Sequence, residues 1–238
     1  MTKGVDISRH NGAVNYYKLK EDGIDFVILK AGGSDDGFYK DASFEDNYTR
    51  ARAAGLHVGA YYFVGPGCIS WYDGEADAKR FLECIDGKQF DYPVYIDLES
   101  TDPSNKQGAT EACRGFCDYM QKQGYYVGIY ASDISGFCDR LYIDRLAEYD
   151  KWVARYGSAP KYVKNYGIWQ YSDNGKPNGA PGSTDMNESY KDYPTIIKEA
   201  GLNGYAKKTE EVKPKFSIKE ELVKLREQID KLIDKVGE

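Results

Sequence analysis

The feature that most limits what this 238-residue chain can fold into is an alternation, five times over, of a short apolar run and a helical pattern. "GVDIS" (4–8) precedes "NYYKLKEDG", and "DFVILKAG" (25–32) precedes "ASFEDNYTRARAAG". "HVGAYYFVG" (57–65) precedes "GEADAKRFLECIDG", and "YPVYIDLE" (92–99) precedes "TEACRGFCDYMQKQG". "YYVGIYAS" (125–132) precedes "CDRLYIDRLAEY" (138–149). The runs are apolar on both faces, as parallel strands are when helices cover them. Five consecutive strand–helix units argue for an α/β fold built on a parallel sheet. Beyond them the rhythm changes. "KWVARYG", "YGIWQYS" and "STDMNESY" read as three more strands, separated by Pro/Gly/Asn loops rather than helices. Eight strands with five helices predict an irregular TIM-like barrel whose last third lacks its helical coat. A doubly wound open sheet is the alternative, weakened because no glycine-rich phosphate turn follows the first strand.

After "YPTIIKEAG" (193–201), a closing helix, the composition shifts. "YAKKTEEVKPKF" (205–216) reads as a polar linker. In "SIKEELVKLREQIDKLIDKVGE" (217–238), Ser217 and Glu220 form a capping box, and Ile218, Leu222, Leu225, Ile229, Leu232 and Val236 recur at heptad spacing. The expected organisation is a barrel over 1–204, a linker over 205–216 and a heptad helix over 217–238. That helix either docks on the barrel or, the favoured reading, forms a homodimer through 217–236.

Acids stand where barrel chemistry belongs, at the carboxyl ends of strands. Asp6 lies in the first strand, Asp97 and Glu99 close the fourth, and Asp185 lies in the last. Residues i and i+2 of a strand face one side, about 6.5–7 Å apart at Cα, and two such carboxylates repel so that one tends to keep its proton. A protonated acid beside an ionised one is the pair that cleaves glycosidic bonds. Clustered carboxylates also suit Mg²⁺ or Mn²⁺, and a strand-end acid often caps the next helix. Lys30, in "VILKAG", reads as a charge partner for these acids more readily than as a Schiff-base lysine. Tyr61, Tyr62 and Phe63 end the third strand, Tyr130 the fifth, and Trp169, Gln170 and Tyr171 the seventh. Neighbours in a strand point opposite ways, so about half of these face the mouth. Tyr62 and Trp169 are the expected stacking platforms for sugar rings, with a core role as the alternative.

Composition narrows the partners. A net charge of −6 argues against nucleic acid, and no run of 18 apolar residues is present to insert in a membrane. The 22 tyrosines suit hydroxylated ligands such as sugars, or reflect compositional bias. Five cysteines, with only His10 and His57, match no zinc spacing and read as buried thiols. No cofactor is expected. "MTKGVDISRHNG" lacks the apolar stretch of a signal peptide, predicting synthesis in the cytoplasm.

Seven motifs in order, "GVDISRHNG", "VGAYYFV", "YPVYIDLE", "VGIYAS", "WVARYG", "IWQYSD" and "DMN", together resemble the glycoside hydrolase family 25 lysozymes over about residues 3–203. The resemblance implies a (β/α)5(β)3 barrel and hydrolysis of the β-1,4 bond between N-acetylmuramic acid and N-acetylglucosamine in peptidoglycan. It implies Glu99 as general acid, with Asp97, Asp6 and Asp185 in support, and either the substrate's 2-acetamido group, oriented by Asp97, or a carboxylate as the second catalytic group. A phage endolysin that reaches a Gram-positive wall once the membrane is permeabilised fits the N-terminus. A catalytically inactive wall-binding barrel is the competing reading. Two features depart from the family: "LKAGGSDDG" (29–37) stands where many members carry a K-A-T-E-G type turn, and the heptad helix replaces cell-wall-binding repeats.

Overall fold

The computed structural model describes residues 1–207 and 218–236. Residues Met1–Lys207 form one compact unit, and Lys208–Glu238 form a second.

The first unit is a closed barrel. Its strands are β1 (Thr2–Ile7), β2 (Phe26–Gly33), β4 (His57–Phe63), β5 (Val94–Asp97), β6 (Val127–Ser132), β7 (Asp150–Ala154), β8 (Ile168–Gly175) and β9 (Thr184–Ser189). A two-residue strand, β3 (Tyr39–Lys40), folds back antiparallel on the end of β2. The pairs β1–β2, β2–β4, β4–β5, β5–β6, β6–β7 and β7–β8 are all parallel. Of the eight barrel strands only β9 runs against its neighbours, antiparallel to both β8 and β1, and it closes the ring. The barrel expectation therefore holds over the open sheet. The all-parallel expectation yields at β9, because the connection from β8 is too short for a crossover, which needs a dozen or more residues.

Strand alternation divides the core in two. Val27, Leu29, Val58, Ala60, Val94 and Ile96 face outward into a layer shared with the helices. Phe26, Ile28, Tyr95, Tyr130, Trp152 and Ile168 fill the barrel. Gly4 and Gly128 leave room for this aromatic filling: a Cβ at Gly4 would lie 2.3 Å from the Phe26 ring, and one at Gly128 2.5 Å from that of Tyr95.

The coat consists of α1 (Tyr16–Glu21), α2 (Phe44–Ala53), α3 (Trp71–Ile85) and α4 (Lys106–Lys122). Side-chain caps start three of them: the oxygens of Asn15, Ser70 and Asn105 accept from the N–H groups of Lys18, Asp73 and Gly108. The fifth helix, expected over 138–149, is absent. In its place stand a π turn over Asp133–Cys138 and a 3₁₀ turn over Ile143–Leu146. The backbone N–H of Tyr142 donates to Thr110 Oγ1 of α4 (2.9 Å) instead of to a carbonyl of its own segment, which interrupts the ladder. The closing helix is α5 (Tyr193–Ala200), capped by Asp192 and stopped by left-handed Gly201. Its Tyr193 and Ile197 plug the amino end of the barrel. Buried Asn203 then ties the chain down, accepting from Tyr126 N–H (2.7 Å) and donating to the carbonyl of Tyr92 (2.9 Å).

In the second unit, α6 spans Ile218–Val236. The expected cap at Ser217 and most of the expected linker lie outside the described residues.

Candidate active site

At the carboxyl end of the parallel strands a cleft of about 180 Å³ is lined by Asp6, Lys30, Tyr61, Asp97, Glu99, Tyr130 and Asp185, together with Ser8, His10, Phe63 and Trp152. Each acid arrives by a different route. Asp97 is the last residue of β5 and Glu99 follows two positions later, held in line because Val64 N–H donates to the Asp97 carbonyl and Leu98 N–H to that of Tyr130. Asp6 faces inward from β1. Asp185 sits opposite it as its direct cross-strand partner. Because β9 is antiparallel, Asp185 reaches the mouth from the start of its strand, whereas Asp97 does so from the end of its own.

Burial is graded. Asp97 is 4% exposed and Asp6 7%, while Glu99 stands at the solvent-facing rim. One carboxylate oxygen of Asp97, Oδ1, is buried without a hydrogen-bond partner. Burial first, then the negative Glu99, pushes the Asp97 carboxyl well above the usual aspartate range, against the pull of Lys30. Burial also raises Glu99, opposed by Lys30 and Arg140. The Asp6–Asp185 pair is raised as well, by the burial of Asp6, the partial burial of Asp185 and the closeness of the two carboxyls.

A side-chain relay holds Asp6. Its Oδ2 accepts from Gln170 Nε2 (2.9 Å) and Asn187 Nδ2 (2.8 Å). Gln170 Oε1 accepts from the hydroxyls of Tyr130 (2.9 Å) and Tyr156 (3.1 Å), and Asn187 Oδ1 from Trp152 Nε1 (2.7 Å). The directions are self-consistent: each amide takes a proton donor on its oxygen and offers its NH₂ to one carboxylate. Lys30 Nζ lies 4.4 Å from the Phe63 ring centroid and 6.0 Å from that of Tyr61, a cation held against aromatic faces.

Most of the anticipated residues therefore meet. Glu99, Asp97, Asp6, Asp185, Lys30, Tyr61 and Tyr130 line the cleft, and Gln170 braces it from behind. Tyr62 does not. Its ring is fully buried against Phe81 and Phe116 between the barrel and the helices, because β4 turns Tyr61 inward and its neighbour outward. The stacking role expected of Tyr62 is corrected to a core role. Trp169 donates from Nε1 to the Arg155 carbonyl (2.7 Å) and packs edge-on to Tyr171, beside rather than among the lining residues. Trp152 and Asn187 went unrecognised, since "WVARYG" and "DMN" give no sign of which side chain turns inward. The departing turn also gains an account. A Cβ at Gly33 would sit 2.6 Å from Tyr39 Oη and 2.7 Å from the Phe63 carbonyl, so β3 places Tyr39 where a side chain on β2 would otherwise project.

A larger groove of about 600 Å³ opens at the other end of the barrel, lined by Thr2, His57, Tyr92, Lys191 and Asp192 among others. It gathers none of the four converging acids. Among the described residues, no group of three or more His, Cys, Asp or Glu side chains is arranged to hold a metal ion.

Residues 5–180 match the model of glycosyl hydrolases family 25. The chain is 31% identical over 187 residues to the autolytic lysozyme of Clostridium acetobutylicum, covering 78% of this chain and 55% of that protein. It is 29% identical over 205 residues to lysozyme M1 of Streptomyces globisporus, covering 78% and 67% respectively. The chain thus spans about half the length of the first relative and two thirds of the second. Among solved structures, the bacterial lysozyme from Streptomyces coelicolor superposes with a TM-score of 0.70 at 25% identity, over 86% of this chain and 98% of that one. The CTP1L endolysin superposes with 0.71 at 29% identity, over 83% and 70%.

Proposed function

The chain belongs to glycosyl hydrolases family 25, and from that premise we propose that it hydrolyses the β-1,4 bond between N-acetylmuramic acid and N-acetylglucosamine in peptidoglycan. The observation that carries this reading is the division of labour between two carboxyls two residues apart: Glu99 at the accessible rim and Asp97 buried below it with one oxygen unpaired. Glu99, its carboxyl raised by partial desolvation at the rim against the pull of Lys30 and Arg140, donates its proton to the glycosidic oxygen as the bond breaks. The unpaired oxygen of Asp97 is an acceptor waiting for a substrate N–H, which suits the 2-acetamido group of the sugar on the far side of the bond. Drawing that N–H toward Asp97 aims the acetamide oxygen at the anomeric carbon. Asp6 and Asp185, adjacent across the strands and both raised, bind sugar hydroxyls. Lys30 and Tyr61 complete the floor.

We assign the protein to the lysis of Gram-positive walls as an endolysin. The likeness to an endolysin and to an autolytic lysozyme supports this role. Purified protein should release new reducing ends from defined peptidoglycan, and mass spectrometry of the muropeptides should find muramic acid at those ends. Glucosamine at the ends would overturn the bond assignment. Walls of a Gram-positive bacterium should clear in suspension, and absence of clearing would remove the lytic role.

A further inference from the structure

We propose that α6 is a docking surface for a second copy of this chain and pairs with it as a parallel two-stranded coiled coil. The heptad pattern of this helix points to its partner. Leu222, Leu225, Ile229 and Leu232 recur every three or four residues along it, and they are 63%, 53%, 51% and 62% exposed. Four large apolar side chains in one seam, each more than half exposed, form an apolar stripe along α6. The seam has the a/d spacing of a coiled-coil contact, with Ile233 beside it at e also 63% exposed, and a second identical seam covers the a/d stripe.

The sequence around the seam selects the arrangement. With Leu222 and Ile229 at a and Leu225 and Leu232 at d, Glu221 falls at g and Arg226 at e. In a parallel pair, g of one helix faces the following e of its partner. Glu221 of each copy therefore meets Arg226 of the other, twice by symmetry. The next such pair, Gln228 with Ile233, is uncharged and neutral to the choice. Antiparallel packing on the same seam would set Glu221 against Lys235 of the other copy at g–g′ but bring the two Arg226 guanidinium groups together at e–e′, so the arrangements differ at Arg226. Ile229 at a with leucine at d further favours two strands over three or four. At roughly three heptads the coil is short, so the expected association is reversible and depends on concentration. On a polymeric substrate, paired barrels raise residence on the wall through effective concentration rather than through any new contact. This last consequence rests on the proposed activity; the pairing itself does not.

Sedimentation equilibrium on the full chain tests the pairing. The apparent mass should rise with concentration from that of one chain to that of two. Leu225→Asp with Ile229→Asp should hold it at one chain while the aromatic near-ultraviolet signal and melting temperature of the barrel stay unchanged. Arg226→Glu should raise the dimer dissociation constant about tenfold by setting like charges at both e–g contacts, and adding Glu221→Arg should restore it. A wild-type mass of one chain at every concentration overturns the proposal, as does a dimer that survives the double aspartate variant. A trimer overturns the two-stranded state. Arg226→Glu without effect overturns the parallel arrangement, because an antiparallel pair exchanges one like-charge contact for another.

Discussion

At the residue scale, Asp97 and Glu99 differ less in chemistry than in depth, and the proposed roles follow that difference. Replacing Glu99 by glutamine keeps its shape and removes its proton. Hydrolysis should fall about 10²–10⁴-fold while the melting temperature stays near wild type, measured as reducing ends released per unit time. Unaltered turnover would remove Glu99 from the acid role. With Glu99 as the proposed acid and its carboxyl raised above the ordinary glutamate value, the rate should fall as pH rises through that raised value. The fall begins at a higher pH than an unperturbed glutamate would give. Asp97 carries the opposite liability. A carboxyl raised by burial binds more proton folded than unfolded, so its contribution to stability declines as pH rises through the window above the ordinary aspartate value. Asp97→Asn should therefore raise the melting temperature at pH 7 by a few degrees, with the gain vanishing near pH 4, while hydrolysis drops. Equal gains at both pH values would contradict a buried charge as the cause.

At the scale of elements, two contacts hold the coat and the floor. Helices α3 and α4 meet backbone to backbone: a Cβ at Gly74 would lie 1.9 Å from the Ala112 carbonyl oxygen, and one at Gly115 2.0 Å from that of Trp71. Gly115→Ala should cost about 1–3 kcal/mol by forcing the helices apart, read from urea unfolding midpoints, whereas Gly124→Ala tests only the cost of a left-handed turn in open space. The floor depends on Asp91, buried where β4 begins. It receives Arg52 of α2, Lys198 of α5 (2.7 Å) and Tyr205 beyond it (2.8 Å), with His57 3.6 Å away. Burial by itself would raise its carboxyl. The hydrogen bonds from His57, Lys198 and Tyr205 and the charge of Arg52 outweigh burial and hold it well below the usual range. Asp91→Asn should cost about 1–3 kcal/mol at neutral pH, since Arg52 and Lys198, 33% and 39% exposed, lose the charge that faces them but keep water.

At the scale of the whole molecule, these shifts act in opposite directions, and the pH–stability curve should record both. From pH 8 downward, stability should rise as Asp97 and the Asp6–Asp185 pair regain protons. Below about pH 4 it should fall, as Asp91, depressed in the fold and ordinary when unfolded, is protonated. Melting temperatures across pH 3–8 would then peak on the acid side of neutrality, and a curve flat from pH 8 to 5 would contradict the raised site carboxyls.

The sequence by itself determined the strand–helix alternation, because apolar period and capping residues act locally, within one turn or one strand. It also determined that acids stand at strand ends, and the heptad seam of α6. Three things needed the tertiary structure. Whether Tyr61 or Tyr62 faces the cleft depends on which way β4 is turned in the closed ring, a choice that period two leaves open to either neighbour. The missing fifth helix depends on Thr110, on another element, taking the N–H of Tyr142. The bracing of Asp6 joins four strands, since Gln170, Asn187, Tyr130 and Trp152 come from β8, β9, β6 and β7. Hydrogen-bond direction and burial are properties of residues brought together across more than a hundred positions, and ring closure, with β9 running antiparallel, is what brings Asp185 against Asp6.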